Sequence, residues 1–335
     1  MCNAGSPCSA VITGAGSYVP EKVMTNEEWS KLVDTNDEWI TTRTGIKTRY
    51  FAPEGVYTSH LAINAGRQAI EDAGVNPEDI DLLIVATICP DRPLPSTACF
   101  VQHGLGLTNA ACFDLVAACS GFVYALDTAK QYILAGSAKR VLVIGAETMS
   151  RIIDWQDRSS CVLFGDGAGA VVVERVDEPG KGILSSKIGA NGGLSELLRI
   201  ETGGTAEPLT HDNLDERRQY VKMEGNVVFK HAVRNMSEIA TKAVEAAGLT
   251  LEDINWLVPH QANTRIIDAV GRQLGIDASK VVVNIQKFGN TTAASIPLAL
   301  KEAVTDGRIK KGDNVLIVAF GAGLTWGSSV FRWEK

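Results

Sequence analysis

Three side chains that can carry out chemistry stand just after runs of residues typical of buried strands. Cys119 follows the run at residues 112–116, His260 follows "NWLV", and Asn290 lies in "FGNTTAAS" after "VVVNI". A thiol is a nucleophile for acyl groups, and an imidazole and a carboxamide can donate hydrogen bonds to a thioester oxygen. Cys119 also opens a run with helical spacing, where unpaired backbone N–H groups and the helix dipole favour a thiolate. The three residue types together indicate thiol-based acyl transfer, provided that the fold brings them together.

Each of these residues has an ordinary structural explanation when it is taken alone. A free cysteine is commonly a buried apolar side chain, a histidine is commonly a surface or core residue, and Gly-Asn is common in turns. The seven cysteines include no CxxC pair and no zinc-like Cys/His spacing. We therefore expect reduced thiols in a cytosol-like compartment and no metal site.

An internal repeat in the chain suggests how the three residues are positioned. Residues 69–86 resemble residues 243–260 at an offset of 174, and the same offset superimposes "VLVIG" of the first region on "VLIVA" of the second. One offset that matches separate segments indicates duplication. We infer two similar halves, residues 1–176 and residues 177–335, joined near the polar segment "VDEPGKG".

The repeat places the reactive groups in different halves. Under the offset Cys119 corresponds to Ala293 and His260 corresponds to Ala86, so each reactive side chain is present once. Parallel strands carry functional groups at their carboxyl ends. Pseudo-twofold packing of the halves would bring the strand ends that carry Cys119, His260 and Asn290 into one pocket.

Each half alternates short apolar runs with helix-length amphipathic segments, which predicts sheets covered by helices. A helix over residues 59–73 ends at Gly74, and Asn263 is a plausible N-cap for a helix over residues 264–274. Two such halves predict a duplicated, five-layer α/β/α/β/α fold. The polar residues 201–219 predict a long surface loop that could act as a lid.

The composition excludes several classes of protein. The 335 residues are 45% hydrophobic and 21% charged, with a formal charge of −7, so we expect no nucleic-acid partner. No apolar run reaches the roughly 18 residues of a membrane helix. No positive residue precedes the first apolar stretch, so we expect no secretory signal and a cytoplasmic protein.

Three glycine-rich stretches have different interpretations. "TGAGSYVP" lacks the third glycine of a dinucleotide-binding fingerprint, which argues against an oxidoreductase. "FGDGAGAVVV" leads into a strand, so close strand packing is favoured over phosphate binding. The backbone N–H groups of "FGAGLTWG" could form an oxyanion hole.

Taken in order, the motifs resemble the β-ketoacyl-[acyl-carrier-protein] synthase III family of the thiolase-like fold. The matching segments are "GSYVPEKVMTN", "DTNDEWITTRTGI", "AACSGF", "DRSSCVLFGDGAGA", "VPHQANTRII", "GNTTAASIPLAL" and "FGAGLTWGS", which together span nearly the whole chain. The resemblance implies decarboxylative condensation of an acyl-coenzyme A primer, acetyl-coenzyme A in the first instance, with malonyl-carrier protein. The products would be a β-ketoacyl-carrier protein, carbon dioxide and coenzyme A, at the start of type II fatty-acid synthesis.

The resemblance also implies a role for individual residues. The implied catalytic residues are Cys119, His260 and Asn290, with the backbone N–H groups of Cys119 and Ala322 as an oxyanion hole. The coenzyme A contacts would be Trp39, Arg43, Thr44, Arg158 and Asn263, the acyl pocket and its entrance would include Leu94, Phe229 and Phe320, and the carrier-protein docking residues would be Lys230, Arg234, Arg265 and Arg272. Arginine suits phosphate binding, and a basic patch suits an acidic carrier protein.

Two residues depart from the pattern of some relatives. Leu94 stands where some have a phenylalanine that reaches the neighbouring subunit, so a longer or branched primer could fit. Ala322 replaces a glycine, with little expected effect because the backbone N–H does the work. The resemblance further implies a homodimer, no cofactor, and a cytoplasmic location, or the plastid stroma in a plastid-bearing eukaryote.

Three alternatives stay open at this point. The chain could be another thiolase-like acyltransferase or condensing enzyme of secondary metabolism, a dinucleotide-binding oxidoreductase, or a non-catalytic acyl-binding protein. The intact Cys119, His260 and Asn290 argue against the binding protein. The sequence leaves undetermined the primer length, the cognate carrier protein and the role of the short N-terminal extension.

Overall fold

The computed structural model describes residues 8–335, and the first residues of the N-terminal extension lie outside the described part. The strands in this part are β1 (Ser9–Tyr18), β2 (Val23–Thr25), β3 (Thr48–Tyr50), β4 (Leu82–Ala86), β5 (Ala111–Leu115), β6 (Arg140–Glu147), β7 (Gly167–Val176), β8 (Ile183–Ala190), β9 (Leu198–Arg199), β10 (Lys222–Met223), β11 (Trp256–Pro259), β12 (Asn314–Gly321) and β13 (Thr325–Arg332). The α-helices are α1 (Asn26–Trp29), α2 (Asp37–Thr44), α3 (Thr58–Ala73), α4 (Thr97–Leu105), α5 (Gly121–Leu134), α6 (Gly225–Ala246), α7 (Thr264–Gln273), α8 (Ile285–Phe288) and α9 (Ser295–Thr305).

Two sheets form the framework. The first has the strand order β1-β7-β6-β4-β5, with β4 parallel to β5 and β6, and the second has the order β11-β12-β13-β8, with β11 parallel to β12. All five residues of β4 are buried, as expected for a parallel strand covered on both faces. The carboxyl ends of β5 and β11 lead directly to Cys119 and His260.

The sheets alternate with three layers of helices. Helices α5 and α9 lie between the two sheets, because their apolar faces share one core with Ile84, Val143 and Ile317. Helices α3 and α4 cover the outer face of the first sheet, and α6 and α7 cover the outer face of the second. The predicted five-layer α/β/α/β/α fold is therefore confirmed.

The offset of 174 residues found in the sequence also relates elements of the structure. It relates the first residues of β1 and β8, of β4 and β11, and of α5 and α9, and it relates β6 to β12 over their whole lengths. The first sheet comes from residues 9–176 and the second from residues 183–332. The boundary between residues 176 and 177 stays a proposal.

One predicted strand is wrong. Of "VVVNI", only Val281 forms a bridge, to Leu257, and helix α8 begins at Ile285. The buried side chain of Gln261 explains the difference, because its Oε1 accepts hydrogen bonds from the backbone N–H groups of Asn284 (2.9 Å) and Ile285 (3.2 Å). A side-chain amide thus replaces a strand as the hydrogen-bonding partner of this segment.

A small cap lies beside the framework. Strands β2 and β3 pair, and α1 and α2 pack through the buried Trp29, Ile40 and Ile46. The cap contacts residues near Cys161 and the buried Ile285. The offset of 174 relates its strands β2 and β3 to the paired strands β9 and β10, whereas α2, which carries three of the residues expected to contact coenzyme A, corresponds to part of the loop at residues 201–219.

Residues 201–219 form a loop, apart from the 3₁₀ turn Leu214–Glu216. Ion pairs between Arg217 and Asp154 and between Arg218 and Glu207 hold it. Whether the loop moves as a lid stays a prediction. Among residues 8–335, no helix has the length and apolar character needed to span a membrane.

Candidate active site

A cavity of about 750 Å³ brings Cys119, His260 and Asn290 together. Its wall also includes residues from the cap, from α6 and from α7. The three residues predicted from separate strand ends thus face one space, although β5, β11 and the loop before α9 are far apart in sequence. Their catalytic roles stay a prediction.

Cys119 lies in the 3₁₀ turn Ala118–Ser120 that precedes α5. Ala118 has a φ of 47°, a left-handed conformation that is rare for a residue with a Cβ. Burial, with a smaller contribution from the charge of Glu147, raises the pKa of the Cys119 thiol to about 12. Burial therefore acts against the thiolate that the position at the helix start is expected to stabilise.

His260 follows the last residue of β11 and is buried. Its Nδ1 lies 2.7 Å from Oγ of Ser295, and the same oxygen accepts a hydrogen bond from the backbone N–H of Gln261 (3.3 Å). A Ser295 hydroxyl that donates to Nδ1 places the imidazole proton on Nε2, which is then a hydrogen-bond donor. Burial lowers the pKa of His260 to about 3, so the ring is neutral at physiological pH.

Asn290 is held by its backbone and by its side-chain oxygen. Its N–H donates to Leu163 O (2.8 Å), and its C=O accepts from Gly165 N–H (3.0 Å). Its Oδ1 accepts a hydrogen bond from the N–H of Thr292 (2.9 Å). This arrangement commits the oxygen to the protein and leaves the Nδ2 amide group as a donor for a substrate.

Three of the five residues predicted to contact coenzyme A form an aromatic and cationic cluster at the cavity. The guanidinium carbons of Arg43 and Arg158 lie 4.6 Å and 5.4 Å from the Trp39 ring centroid. Trp39 and Arg43 line the cavity, whereas Arg158 does not line it and donates a hydrogen bond to the backbone oxygen of Asp34 (2.6 Å). Cationic and aromatic groups together suit a nucleotide with phosphates.

The other two predicted coenzyme A residues also line the cavity, but their polar atoms have protein partners. Asn263 caps α7 by accepting from Arg265 N–H, and its Nδ2 donates to Arg43 O (3.0 Å). The hydroxyl of Thr44 donates to Ile40 O (2.6 Å). Asn263 therefore joins α7 to α2, whereas the Thr44 hydroxyl is bonded within its own helix, and direct contact with coenzyme A stays a prediction for both.

A second cavity, of about 390 Å³, also opens at Cys119. Its wall is mainly apolar and includes Ile88, Met149 and Val221, with Ala322 beside them. The two cavities share Cys119, so a group attached to its sulfur can extend into the apolar one. Ala322 lines this cavity together with Cys119, and its role in an oxyanion hole stays a prediction.

The residues predicted for the acyl pocket lie elsewhere. Phe229 and Phe320 line the larger cavity, which fits the predicted entrance. Leu94 lines neither of the two cavities at Cys119 and is 84% exposed. Its predicted contact would need a second subunit.

The four basic docking residues divide into two pairs. Lys230 and Arg265 are exposed and line the larger cavity. Arg234 is ion-paired with Glu238 (2.8 Å), and Arg272 is exposed about two helical turns beyond Arg265. The predicted patch is therefore most basic at the mouth of the cavity.

Sequence reasoning missed several residues that organise the site. Ser295 contacts His260, Thr292 contacts Asn290, and Thr325 Oγ1 lies within hydrogen-bond distance of Ala117 O (3.0 Å) and Ala322 O (3.1 Å). Serine and threonine are common in turns and helix starts, so their types alone carry little signal. The clustering of hydroxyl residues in "GNTTAAS" is the one available indication.

Known proteins resemble this chain over nearly its full length. Family models described as 3-oxoacyl-[acyl-carrier-protein] synthase III and its C-terminal region match residues 113–192 and 244–333. A β-ketoacyl-[acyl-carrier-protein] synthase III of Caldanaerobacter subterraneus subsp. tengcongensis is 54% identical over 98% of both chains.

Solved structures agree with the sequence relatives. The crystal structure of 3-oxoacyl-[acyl-carrier-protein] synthase III from Aquifex aeolicus VF5 has a TM-score of 0.89 and 48% identity, covering 96% of this chain and 99% of that one. The priming β-ketosynthase of the R1128 polyketide pathway has a TM-score of 0.90 at 36% identity, covering 98% of this chain and 97% of that one. With these matches in fold, sequence and length, the chain belongs to the β-ketoacyl-[acyl-carrier-protein] synthase III family.

Proposed function

We propose that this protein condenses an acyl-coenzyme A primer with malonyl-carrier protein to begin fatty-acid synthesis. The observation that carries the proposal is the shared cavity in which Cys119 faces His260 and Asn290. The reaction needs no cofactor, since the acyl-coenzyme A is a substrate. The secondary-metabolism alternative is less favoured, because the polyketide enzyme is 36% identical to this chain and the Caldanaerobacter β-ketoacyl-[acyl-carrier-protein] synthase III is 54% identical.

In the first half-reaction the Cys119 sulfur attacks the thioester carbonyl of the primer. The C–S bond to coenzyme A breaks, and the proton lost by the thiol leaves with coenzyme A. The N–H groups of Cys119 and Ala322 would stabilise the tetrahedral oxyanion. The apolar cavity beside Cys119 would hold the acyl chain while coenzyme A departs through the larger one.

In the second half-reaction malonyl-carrier protein loses carbon dioxide. The electron pair of the broken C–C bond moves onto the α-carbon and the thioester oxygen as an enolate. Nε2 of His260 and Nδ2 of Asn290 would donate hydrogen bonds to that oxygen, and a neutral His260 can remain such a donor because of its low pKa. The enolate then attacks the acyl group on Cys119 and releases the sulfur.

The finer parts of the proposal follow the same geometry. Trp39, Arg43 and Arg158 would bind the nucleotide end of coenzyme A, and Lys230 and Arg265 would attract the acidic carrier protein. The exposed Leu94 would meet a second subunit of a homodimer. Acetyl-coenzyme A is the expected primer, and the cytoplasm the expected location.

The test is to incubate the protein with acetyl-coenzyme A and record its intact mass, then add malonyl-carrier protein and measure carbon dioxide. We expect one acetyl group on Cys119 and carbon dioxide release in step with product. A panel of longer and branched primers would define the acyl range. A chain that gains no acyl group with any primer would refute the proposal.

The docking surface has its own matched test. Arg265→Glu should raise the KM for malonyl-carrier protein while Cys119 acylation stays unchanged, because coenzyme A and the carrier protein bind different groups. Arg272→Glu, on the same helix but away from the cavity, is the control and should have the smaller effect. Equal KM values for both variants would contradict the patch at the cavity mouth.

A further inference from the structure

Arg49 is a buried cation whose role the proposed reaction does not explain. It lies in β3 and is 0% exposed. Its guanidinium donates to three neutral oxygens, namely Asn26 Oδ1 (2.7 Å), Met24 O (3.4 Å) and Val162 O (2.6 Å). Burial lowers its pKa to about 10, so it remains a cation at neutral pH. A buried charge is costly unless well-placed hydrogen bonds compensate for its lost hydration.

One side of Arg49 faces the segment that holds Asn290. Val162 immediately precedes the segment in which Leu163 and Gly165 form backbone hydrogen bonds with Asn290. The Cβ of Arg49 also packs against Gly289, because a Cβ built on that glycine would lie only 3.2 Å away. Gly289 has a φ of 65° and leads directly into Asn290. Arg49 therefore backs the Asn290 loop through two independent contacts.

The other side of Arg49 is anchored in the cap. Asn26, which accepts from the guanidinium, is itself buried, and its Nδ2 donates to Asp37 Oδ1 (2.8 Å) and Ile46 O (2.8 Å). The planar guanidinium thus spans from the start of α1 to the wall of the cavity. Lysine, with a single ammonium group, cannot bond Asn26 and Val162 in the same fixed geometry.

A neighbouring residue braces the same loop from its surface side. Thr48 Oγ1 donates to Lys287 O (2.8 Å), and Lys47 N–H donates to Gln286 O (3.1 Å). These contacts fix the backbone of α8 just before Asn290. Strand β3 therefore holds the Asn290 loop along its length.

We propose that Arg49 is a positioning residue that holds Asn290 in the orientation needed for malonyl decarboxylation, with Thr48 as a weaker brace on the same loop. The proposal rests on the proposed role of Asn290. Loss of the guanidinium frees Val162 and lets the amide of Asn290 drift from the thioester oxygen. Cys119 is held instead by α5 and Thr325, so its acylation does not depend on Arg49.

The experiment compares Arg49→Lys and Thr48→Val with Arg151→Lys. Arg151 is a matched control, because its guanidinium also donates to a backbone oxygen, Pro53 O (2.8 Å), but it has no contact with the Asn290 loop. For each variant we would measure acetyl transfer to Cys119 by intact mass and carbon dioxide release from malonyl-carrier protein. Thermal unfolding would check that each variant is folded.

We expect Arg49→Lys to lower the decarboxylation rate at least about tenfold, since small misplacements of a catalytic group cost up to about 10²-fold, with acylation within about threefold of the unmodified chain. Thr48→Val should shift the same ratio in the same direction by a smaller factor. The ratio of the two rates should stay unchanged in Arg151→Lys.

Two results would overturn the proposal: equal losses in both half-reactions, or no loss of decarboxylation in either variant. If Arg49→Lys does not fold, Thr48→Val decides, because its hydroxyl lies at the surface. If the unmodified chain gains acetyl but releases no carbon dioxide, the proposed function fails, and that failure is separate from the role of Arg49.

Discussion

The turns before α5 and α9 correspond to each other in the repeat, and they share a backbone conformation but differ in their side chains. Cys119 in the turn before α5 corresponds to Ala293 in the turn before α9. The preceding residues, Ala118 and Thr292, share an unusual left-handed conformation, with φ of 47° and 48°. The repeated backbone geometry is thus a property of the scaffold, and one side chain makes only one copy nucleophilic.

The carboxyl ends of β6 and β12 also correspond in the repeat, and here it is the second half that lacks the functional side chain. At the end of β6, the buried carboxylate of Glu147 accepts hydrogen bonds from the backbone N–H groups of Ile88 (3.0 Å) and Cys89 (3.1 Å). At the corresponding place in β12 stands Gly321, where an added Cβ would lie 2.8 Å from Cys119 N. In the first half the Glu147 side chain holds a loop. In the second half the absence of a side chain at Gly321 allows its backbone to lie close to the backbone of the Cys119 turn.

The largest expected effect comes from removing the nucleophile. Cys119→Ser should abolish self-acylation, because a hydroxyl is a far weaker nucleophile than sulfur at this site. The measurement is intact mass after incubation with acetyl-coenzyme A. Cys161→Ser, at another buried thiol, is the matched control and should acylate normally. Labelling that persists in Cys119→Ser would show that the difference between Cys119 and Ala293 is not the source of reactivity.

The second prediction concerns the donor from the other copy. Asn290→Ala should lower malonyl decarboxylation by about 10²- to 10³-fold, the usual cost of losing one oxyanion donor, and should affect acylation less. Carbon dioxide release and intact mass measure the two steps separately. Similar losses in both steps would mean that Asn290 serves the fold rather than the enolate.

A third prediction tests the close approach at Gly321. Gly321→Ala should lower the free energy of unfolding by about 1–3 kcal/mol, because the methyl group meets the backbone of the Cys119 turn. Denaturant unfolding measures this change. Gly192→Ala is the control, since a Cβ there would have no neighbour within 4 Å. If both variants lose the same stability, the approach of the two copies is looser than the structure indicates.

The smallest expected effect is a pH dependence due to His260. Its pKa is about 3 in the folded protein against 6.5 as the ordinary value, so below pH 6.5 the unfolded chain binds a proton that the folded protein does not. The His260 contribution to the free energy of unfolding should therefore fall by about 1.5 kcal/mol between pH 6.5 and about 5, whereas the raised pKa values of Glu147 and Asp166 act in the opposite direction. His260→Gln should lack this contribution. Ala86, the counterpart of His260 in the first half, has no titratable group and contributes nothing to this pH dependence. If the free energy of unfolding of His260→Gln keeps the same dependence on pH, another buried group is responsible.

Regular elements with strong apolar patterns were predictable. The runs that became β4, β6 and β12 are continuous apolar segments, and α7 begins after Asn263 and ends before Gly275 as its capping residues indicate. The repeat predicted that the strand ends would meet. These features depend on local sequence and on the offset, both of which can be read directly.

Elements that depend on single side chains were not predictable. The segment "VVVNI" has strong strand-forming residues, but two of its backbone N–H groups donate to the side-chain oxygen of Gln261. The short strands and helices of the cap, such as β3, have too few residues to show a period. The burial that raises the pKa of Cys119 also escaped prediction, because it comes from residues that are distant in the sequence.

The sequence by itself determined the residue types of the site, the duplicated five-layer fold and the family. Only the tertiary structure decided that Ser295 contacts His260 and that Arg49 stands behind the Asn290 loop. Local patterns encode strands and helices because each residue there interacts with its neighbours in the chain. The protonation and orientation of a buried side chain depend instead on atoms more than thirty residues away, which only packing brings into contact.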